Sequence, residues 1–205
     1  NVLESFDPVI PESYQDCSYL MLGNLAPAIQ RQVIRGMKNR PKLIAMDTMN
    51  FWMDIAMDDL KETISLVDVL TINDEEARQL SGEYSLLLAA EKIQEMGPKY
   101  LIIKKGEHGA LLFHGREMFY APALLLPSVA DPTGAGDTFA GGFMGYLKST
   151  DDVSFENMKR ALVYGSALAS FTVQRFGTEK IKEVSSAELE SRMNEFKSLM
   201  SFTHK

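Results

Sequence analysis

Asp131-Pro132-Thr133-Gly134-Ala135-Gly136-Asp137-Thr138-Phe139-Ala140-Gly141-Gly142-Phe143 places three small residues directly ahead of an apolar helical face made by Phe139, Phe143 and Leu147. The first amides of a helix lack an intrahelical acceptor, so the N–H groups of Gly134, Ala135 and Gly136 read as an anion site. Asp137 falls in the first turn, where its carboxylate would border that anion. Two negative charges side by side disfavour passive anion binding. They suit a base that takes the proton of a hydroxyl attacking a phosphoryl group. Read in isolation, Gly134 and Gly136 are equally a tight turn and Asp137 an ordinary first-turn charge. Gly141, Gly142 and Gly145 each cost about 1 kcal/mol relative to Ala inside a helix, and close packing against a sheet is the expected reason to keep them. No GxxxxGK[ST] pattern occurs in the chain. The third glycine of a G-x-G-x-x-G turn is also missing, which disfavours a dinucleotide oxidoreductase.

Upstream of this stretch, short apolar runs alternate with helix-period segments, a pattern of β-α-β units and a largely parallel sheet. Strands are expected at 19–22, 42–46, 67–72 and 100–104, with a hairpin of 110–113 and 117–120 across His114-Gly115-Arg116. Helices are expected at 27–37 and 84–96, and a further one on which Trp52, Ala56, Leu60 and Ile64 share a face. Asp74, Glu75 and Glu76 sit where a helix N-terminus favours negative charge. Downstream the character becomes helical, over 137–147, 155–174 and 186–200. The expected architecture is one three-layer α/β/α domain over 1–205, with no internal boundary. Asn24, Asp47 and Asn73 follow strand ends and are expected on one rim, where ligands of parallel sheets bind.

The 205 residues carry a net charge of -7, are 45% hydrophobic and 24% charged, and so read as an ordinary globular chain with no basic face for nucleic acid. A single cysteine, Cys17, allows no internal disulfide, and His108, His114 and His204 have no metal-ligand spacing. No apolar run approaches ~18 residues, and no basic-then-apolar leader opens the sequence, so a cytoplasmic protein without membrane contact is expected. The sequence begins Asn1-Val2-Leu3 without Met, and is expected to be part of a longer polypeptide.

The 131–143 stretch resembles the C-terminal signature of the PfkB, ribokinase-like carbohydrate kinases, and the strand-end motifs fall in that family's order. The resemblance implies a ribokinase-like α/β fold and an ATP- and Mg²⁺-dependent transfer to a sugar hydroxyl. Asp137 would be the base and substrate contact, and Gly134, Ala135 and Gly136 the anion hole. Asn73-Asp74-Glu75-Glu76 resembles the N-x-x-E motif, in which Asn73 and Glu76 would order Mg²⁺, its waters and the phosphates; the bare residues are equally a strand-end turn and an acidic first turn. Lys104-Lys105-Gly106-Glu107-His108-Gly109 lies where the family runs a loop along ATP, which assigns Lys104, Lys105, Gly106 and Gly109 to the nucleotide. Ser166 would flank the adenine. Asp131 and Thr133, with Thr172, Arg175 and Gly177, resemble the loop pair that holds a monovalent cation such as K⁺. Asn24 would contact the sugar. Asp47-Thr48-Met49-Asn50 resembles a D-x-N strand end but has no nearby Arg of the kind used on acidic sugars, and Trp52 reads as core.

Members of the family carry roughly a hundred further residues ahead of this point. These include a Gly-Gly substrate signature, an Asp that grips sugar hydroxyls and a lid through which a homodimer forms. None of these is in the sequence. The readings that stay open are a sugar kinase, a nucleoside kinase on the same scaffold, and a ligand-binding relative that has lost catalysis.

Overall fold

Runs of β-branched and aliphatic residues bounded by polar strand ends give β1 (Tyr19–Leu22), β2 (Leu43–Asp47), β3 (Val69–Asn73) and β4 (Tyr100–Lys104) in the computed structural model, which describes residues 6–203. All three pairings among these strands are parallel, with Leu22 beside Met46, Asp47 beside Thr71 and Asn73 beside Lys104. Ile44, Ala45, Met46, Val69, Leu70, Ile72, Leu101, Ile102 and Ile103 have no exposed surface, as expected of parallel strands covered on both faces. With β5 (Ala110–His114) and β6 (Glu117–Ala121) the sheet order is β1-β2-β3-β4-β5-β6. The mostly parallel α/β fold expected from the alternation is therefore the one observed.

By their contacts the described residues form two compact units. One holds the residues up to Lys104 together with Phe113–Glu117, the other Lys105–Leu112 and the residues from Met118 on. In the first unit, helices α1 (Pro27–Arg35), α2 (Asn50–Ile55), α3 (Met57–Ile64), α4 (Asp74–Ser81) and α5 (Leu86–Gln94) alternate with the strands. The single helix expected through Trp52 and Ile64 is instead α2 and α3. Ala56, at φ -145 and ψ 39, closes one and opens the other. The break leaves Leu60 and Ile64 fully buried while the Trp52 indole N–H turns to Asn24 Oδ1 at 2.9 Å. No Pro or Gly marks this break, which is why helical periodicity alone ran through it.

In the second unit, α6 (Ala135–Thr150) and α7 (Phe155–Thr172) pack together, followed by α8 (Glu179–Glu183) and α9 (Ser186–Leu199). Of the α6 glycines expected to pack on the sheet, Gly142 packs instead against α7. A Cβ on Gly142 would lie 2.7 Å from Leu168 Cδ1, and one on Gly165 of α7 2.6 Å from the Phe139 carbonyl oxygen. Gly141 and Gly145 face open space. Phe139, Phe143 and Leu147 of α6 and Met158, Leu162 and Phe171 of α7 are buried. Arg192 of α9 lies over the Phe171 ring, 4.1 Å from its centroid, and donates to Ser170 Oγ at 2.6 Å. No described helix is long and apolar enough to cross a membrane.

Candidate functional site

The carboxyl ends of β1 to β4 form one edge of the first unit, and they bring together Asp47, Asn73 and Lys104. The register puts Asp47, Thr71, Asn73 and Lys104 on one face of the sheet, because paired residues of parallel strands share a face and the side-chain period is two. Lys104 Nζ donates to Asp47 Oδ2 at 2.9 Å, and the Thr48 N–H donates to Asp47 Oδ1 at 2.8 Å. This ion pair spans β3, and the sequence reading missed it. Its only signal was an acid and a base that each end a predicted strand.

Asn73 caps α4. Its Oδ1 accepts the Glu76 N–H at 2.8 Å, while Glu76 Oε2 accepts the Asn73 N–H at 2.7 Å, a reciprocal capping box. Glu76 is 8% exposed. Burial pushes its carboxyl above the ordinary range, against the opposing pull of the Asn73 amide and the Lys104 charge. Glu76 Oε1 keeps its lone pairs free of any protein donor among the described residues. No group of three or more His, Cys, Asp and Glu side chains that could hold a metal is found among the described residues. The free carboxylate oxygen of the capping box, Glu76 Oε1, is a contact that Mg²⁺ could take, since that ion keeps several waters and needs one or two carboxylates. Asn24 stands on the same edge, exposed, with its amide committed to Trp52 and, through Nδ2, to Met49 Sδ at 3.0 Å. Gln30, 2% exposed, ties the ends of β1 and β2 by donating to the Gly23 carbonyl at 2.7 Å and the Asp47 carbonyl at 3.0 Å. Gln30 Oε1, Thr48 Oγ1 and Thr71 Oγ1 are buried without a partner among the described residues.

In the second unit, Gly134 takes φ 80 and ψ 0, the left-handed geometry of the third residue of a type II turn. The Ala135 N–H closes that turn onto the Pro132 carbonyl at 3.2 Å, and the Thr138 N–H makes the first helical bond to Gly134 at 2.9 Å. This corrects the expectation of three free amides at Gly134, Ala135 and Gly136, because the turn consumes the middle one. The N–H groups of Gly134, Gly136 and Asp137 meet no acceptor among the described residues. A Cβ at Gly134 would touch nothing within 4 Å, so space for an anion remains. Asp137 is in the first turn of α6, exposed, and its carboxylate has no partner among the described residues.

Asp131 joins two loops. Its Oδ1 accepts the Thr133 N–H at 2.9 Å and its Oδ2 the Gly177 N–H at 3.4 Å, while Ala130 donates to the Val173 carbonyl at 2.8 Å. The Thr133 amide and hydroxyl, then the Gly177 amide, hold its carboxyl below the ordinary range. Thr172 Oγ1 donates to Thr138 Oγ1 at 3.0 Å, which ties the end of α7 to the start of α6. Arg175 turns away, to Glu183 at 2.8 Å.

The 105–109 loop closes through the Lys105 N–H on the Gly109 carbonyl at 2.8 Å. Gly106 faces open space, but Gly109 does not. At φ 94 its Cβ would sit 2.1 Å from the Ala121 carbonyl oxygen, so this glycine makes room for the chain's own backbone and not for close approach of a ligand. Ser166 Oγ donates to the Leu162 carbonyl within α7 at 2.9 Å.

Known proteins are similar to this chain in sequence and in fold. Cytidine kinase from Thermococcus kodakarensis is 30% identical over 144 residues, covering 68% of this chain and 51% of its own. The crystal structure of ribokinase from Thermotoga maritima matches with a TM-score of 0.67 at 28% identity, over 86% of this chain and 57% of that one. Fructokinase from Vibrio cholerae, in its fructose-, ADP- and calcium-bound form, matches with a TM-score of 0.76 at 18% identity over 90% and 63%, a likeness of fold. The chain thus spans about half the length of the cytidine kinase. A family model described as pfkB family carbohydrate kinase matches residues 4–184, a span that takes in the Asn73–Glu76 box, the 105–109 loop and the 131–137 turn. The chain belongs to the pfkB family of carbohydrate kinases.

Proposed function

We propose that the protein is an ATP- and Mg²⁺-dependent kinase that moves the γ-phosphoryl group to a hydroxyl of a sugar or nucleoside, with Asp137 as the base. The observation that carries this reading is the unpartnered Asp137 carboxylate in the first turn of α6, directly after a left-handed glycine turn with unspent amides. Asp137 takes the proton of the acceptor hydroxyl, whose oxygen forms the new bond to phosphorus as the bond to the ADP oxygen breaks. The amides of Gly134 and Gly136 carry the charge that develops on the transferring group, the preorganised donor role that dominates such reactions. Asn73 and Glu76 are the residues that would hold Mg²⁺, through water, and the ion would supply charge neutralisation to the phosphates. Lys105, Gly106 and Gly109 give the loop along the nucleotide, Ser166 the adenine side, Asn24 an acceptor contact, and Asp131 with Thr133 the seat of a monovalent cation.

The test is ADP release with Mg·ATP over a panel of sugars and nucleosides, together with Asp137→Ala. Turnover that falls by about 10²–10⁴-fold in the variant while ATP affinity holds supports the base. Turnover retained in Asp137→Ala refutes it. A wild-type protein that binds ATP and phosphorylates nothing favours the ligand-binding reading. The cytidine kinase match makes nucleosides the second half of the panel.

A further inference from the structure

The cation that ends β4 is already spent. Lys104 Nζ and the Thr48 N–H take one oxygen each of the Asp47 carboxylate, at 2.9 and 2.8 Å, and Gln30 braces the Asp47 carbonyl at 3.0 Å. Both partners of the ion pair are largely shielded, Lys104 at 23% and Asp47 at 15% side-chain exposure. The carboxylate is thus fixed in orientation, and each oxygen keeps a lone pair for a further donor. The cation in the first turns after β1, β2 and β3, Arg78 of α4, is bonded to Asp74 Oδ2 at 2.7 Å and to the Tyr84 carbonyl at 3.1 Å; Lys105, which follows β4, begins the loop of the second unit. The remaining polar groups that follow β1, β2 and β3, among them Asn24, Thr48, Asn50, Asn73, Glu75 and Glu76, are neutral or acidic. An anionic acceptor would meet Asp47 and Glu76 here, with Lys104 and Arg78 each already paired to a carboxylate. Hydroxyl groups would find an oriented carboxylate to donate to.

We infer that Lys104 is a positioning residue for Asp47, not a ligand of nucleotide phosphate, and that Asp47 receives hydroxyls of an uncharged polyol or nucleoside acceptor. The inference rests on the kinase reading above and assigns that reaction a neutral acceptor class. It is tested on the intact protein with Asp47→Asn, Lys104→Met, Lys104→Arg and the double variant. Calorimetry gives the Kd of Mg·ATP, and kinetics give KM and kcat over ribose, fructose and cytidine against fructose 6-phosphate.

Lys104→Met should hold the ATP Kd within about threefold and raise the acceptor KM about tenfold or more, with Lys104→Arg recovering most of the loss. The double variant should be no worse than either single one, as for two residues acting as a unit. Loss of ATP affinity by about tenfold in both Lys104 variants, with acceptor KM unchanged, overturns the assignment; so does a phosphorylated acceptor used better than the neutral ones. A wild-type protein that binds no ATP sinks the kinase reading itself, and this assignment with it. ATP binding that survives in wild type and fails only in the Lys104 variants sinks this assignment alone.

Discussion

Glu76 caps α4 and, in the proposed function, also serves Mg²⁺, and two substitutions separate the two roles. Its Oε2 accepts the Asn73 N–H at 2.7 Å from a position only 8% exposed, so Glu76→Ala leaves a part-buried amide without a partner and removes half of the α4 cap. Such an orphaned donor costs about 1–3 kcal/mol. For a chain of this size that is a fall in Tm of roughly 2–12 °C. Glu76→Gln keeps an oxygen for the same N–H and removes the charge. Burial raises the folded-state pKa above the unfolded one, so between the two the folded chain holds the extra proton and its stability falls as pH rises through that window. The Gln variant lacks this titration. Its stability relative to wild type should therefore improve as pH climbs above the ordinary carboxylate range. Thermal melts followed by circular dichroism across that range read both effects. Calorimetry with Mg·ATP then reads the metal role, which Gln should impair even though the fold is intact. If Glu76→Gln were as unstable as Glu76→Ala at every pH, or bound Mg·ATP as wild type does, the reasoning would fail.

Other outcomes follow from the same geometry. Gly109→Ala places a Cβ 2.1 Å from the Ala121 oxygen and should cost more than about 3 kcal/mol, whereas Gly106→Ala meets only its φ of 55 and should cost about 1–2 kcal/mol; chemical denaturation of both checks the order. Gly165→Ala, with a Cβ 2.6 Å from the Phe139 carbonyl oxygen, should destabilise, while Gly145→Ala on the open face of α6 should stabilise by up to about 1 kcal/mol; equal effects would contradict the packing described. Glu188 is held at a pKa of about 2 by the Ser185 amide, Lys180 and the Ser185 hydroxyl. Its folded pKa lies below the unfolded one, so its contribution is complete above about pH 4.5 and is lost as pH falls toward 2. An NMR titration in which the Glu188 carboxyl carbon moves near pH 4.5 would refute that.

How much of this was legible beforehand depended on whether the cause was local. Strands β1 and β4 were placed to the residue because their apolar runs end at Gly23 and Lys104, while Asn73 and Glu76 stood out by resemblance to a family motif and not as the reciprocal cap that they form. The missed features have distant causes. Ala56 breaks a helix without Pro or Gly, and Gly142 answers to Leu168 on the next helix. The Asp47–Lys104 pair joins residues 57 apart in the chain, and only the parallel register of β2, β3 and β4 brings them to one face. The turn ahead of α6 was legible from its glycines, but the loss of the Ala135 amide to Pro132 is a property of turn type, which depends on backbone angles that a short motif does not specify.

Gln30 gives the strand-end edge a resident reporter. Its Nε2 donates to the carbonyls of Gly23 and Asp47, one from each of the loops that leave β1 and β2. In a nitrogen-15 spectrum those two side-chain protons should exchange slowly with solvent and stand apart from the exposed Asn and Gln amides. Any ligand that spreads or tightens the two loops must change both bonds at once. The resonance pair would then record occupancy of the edge without a label, a dye or a turnover assay.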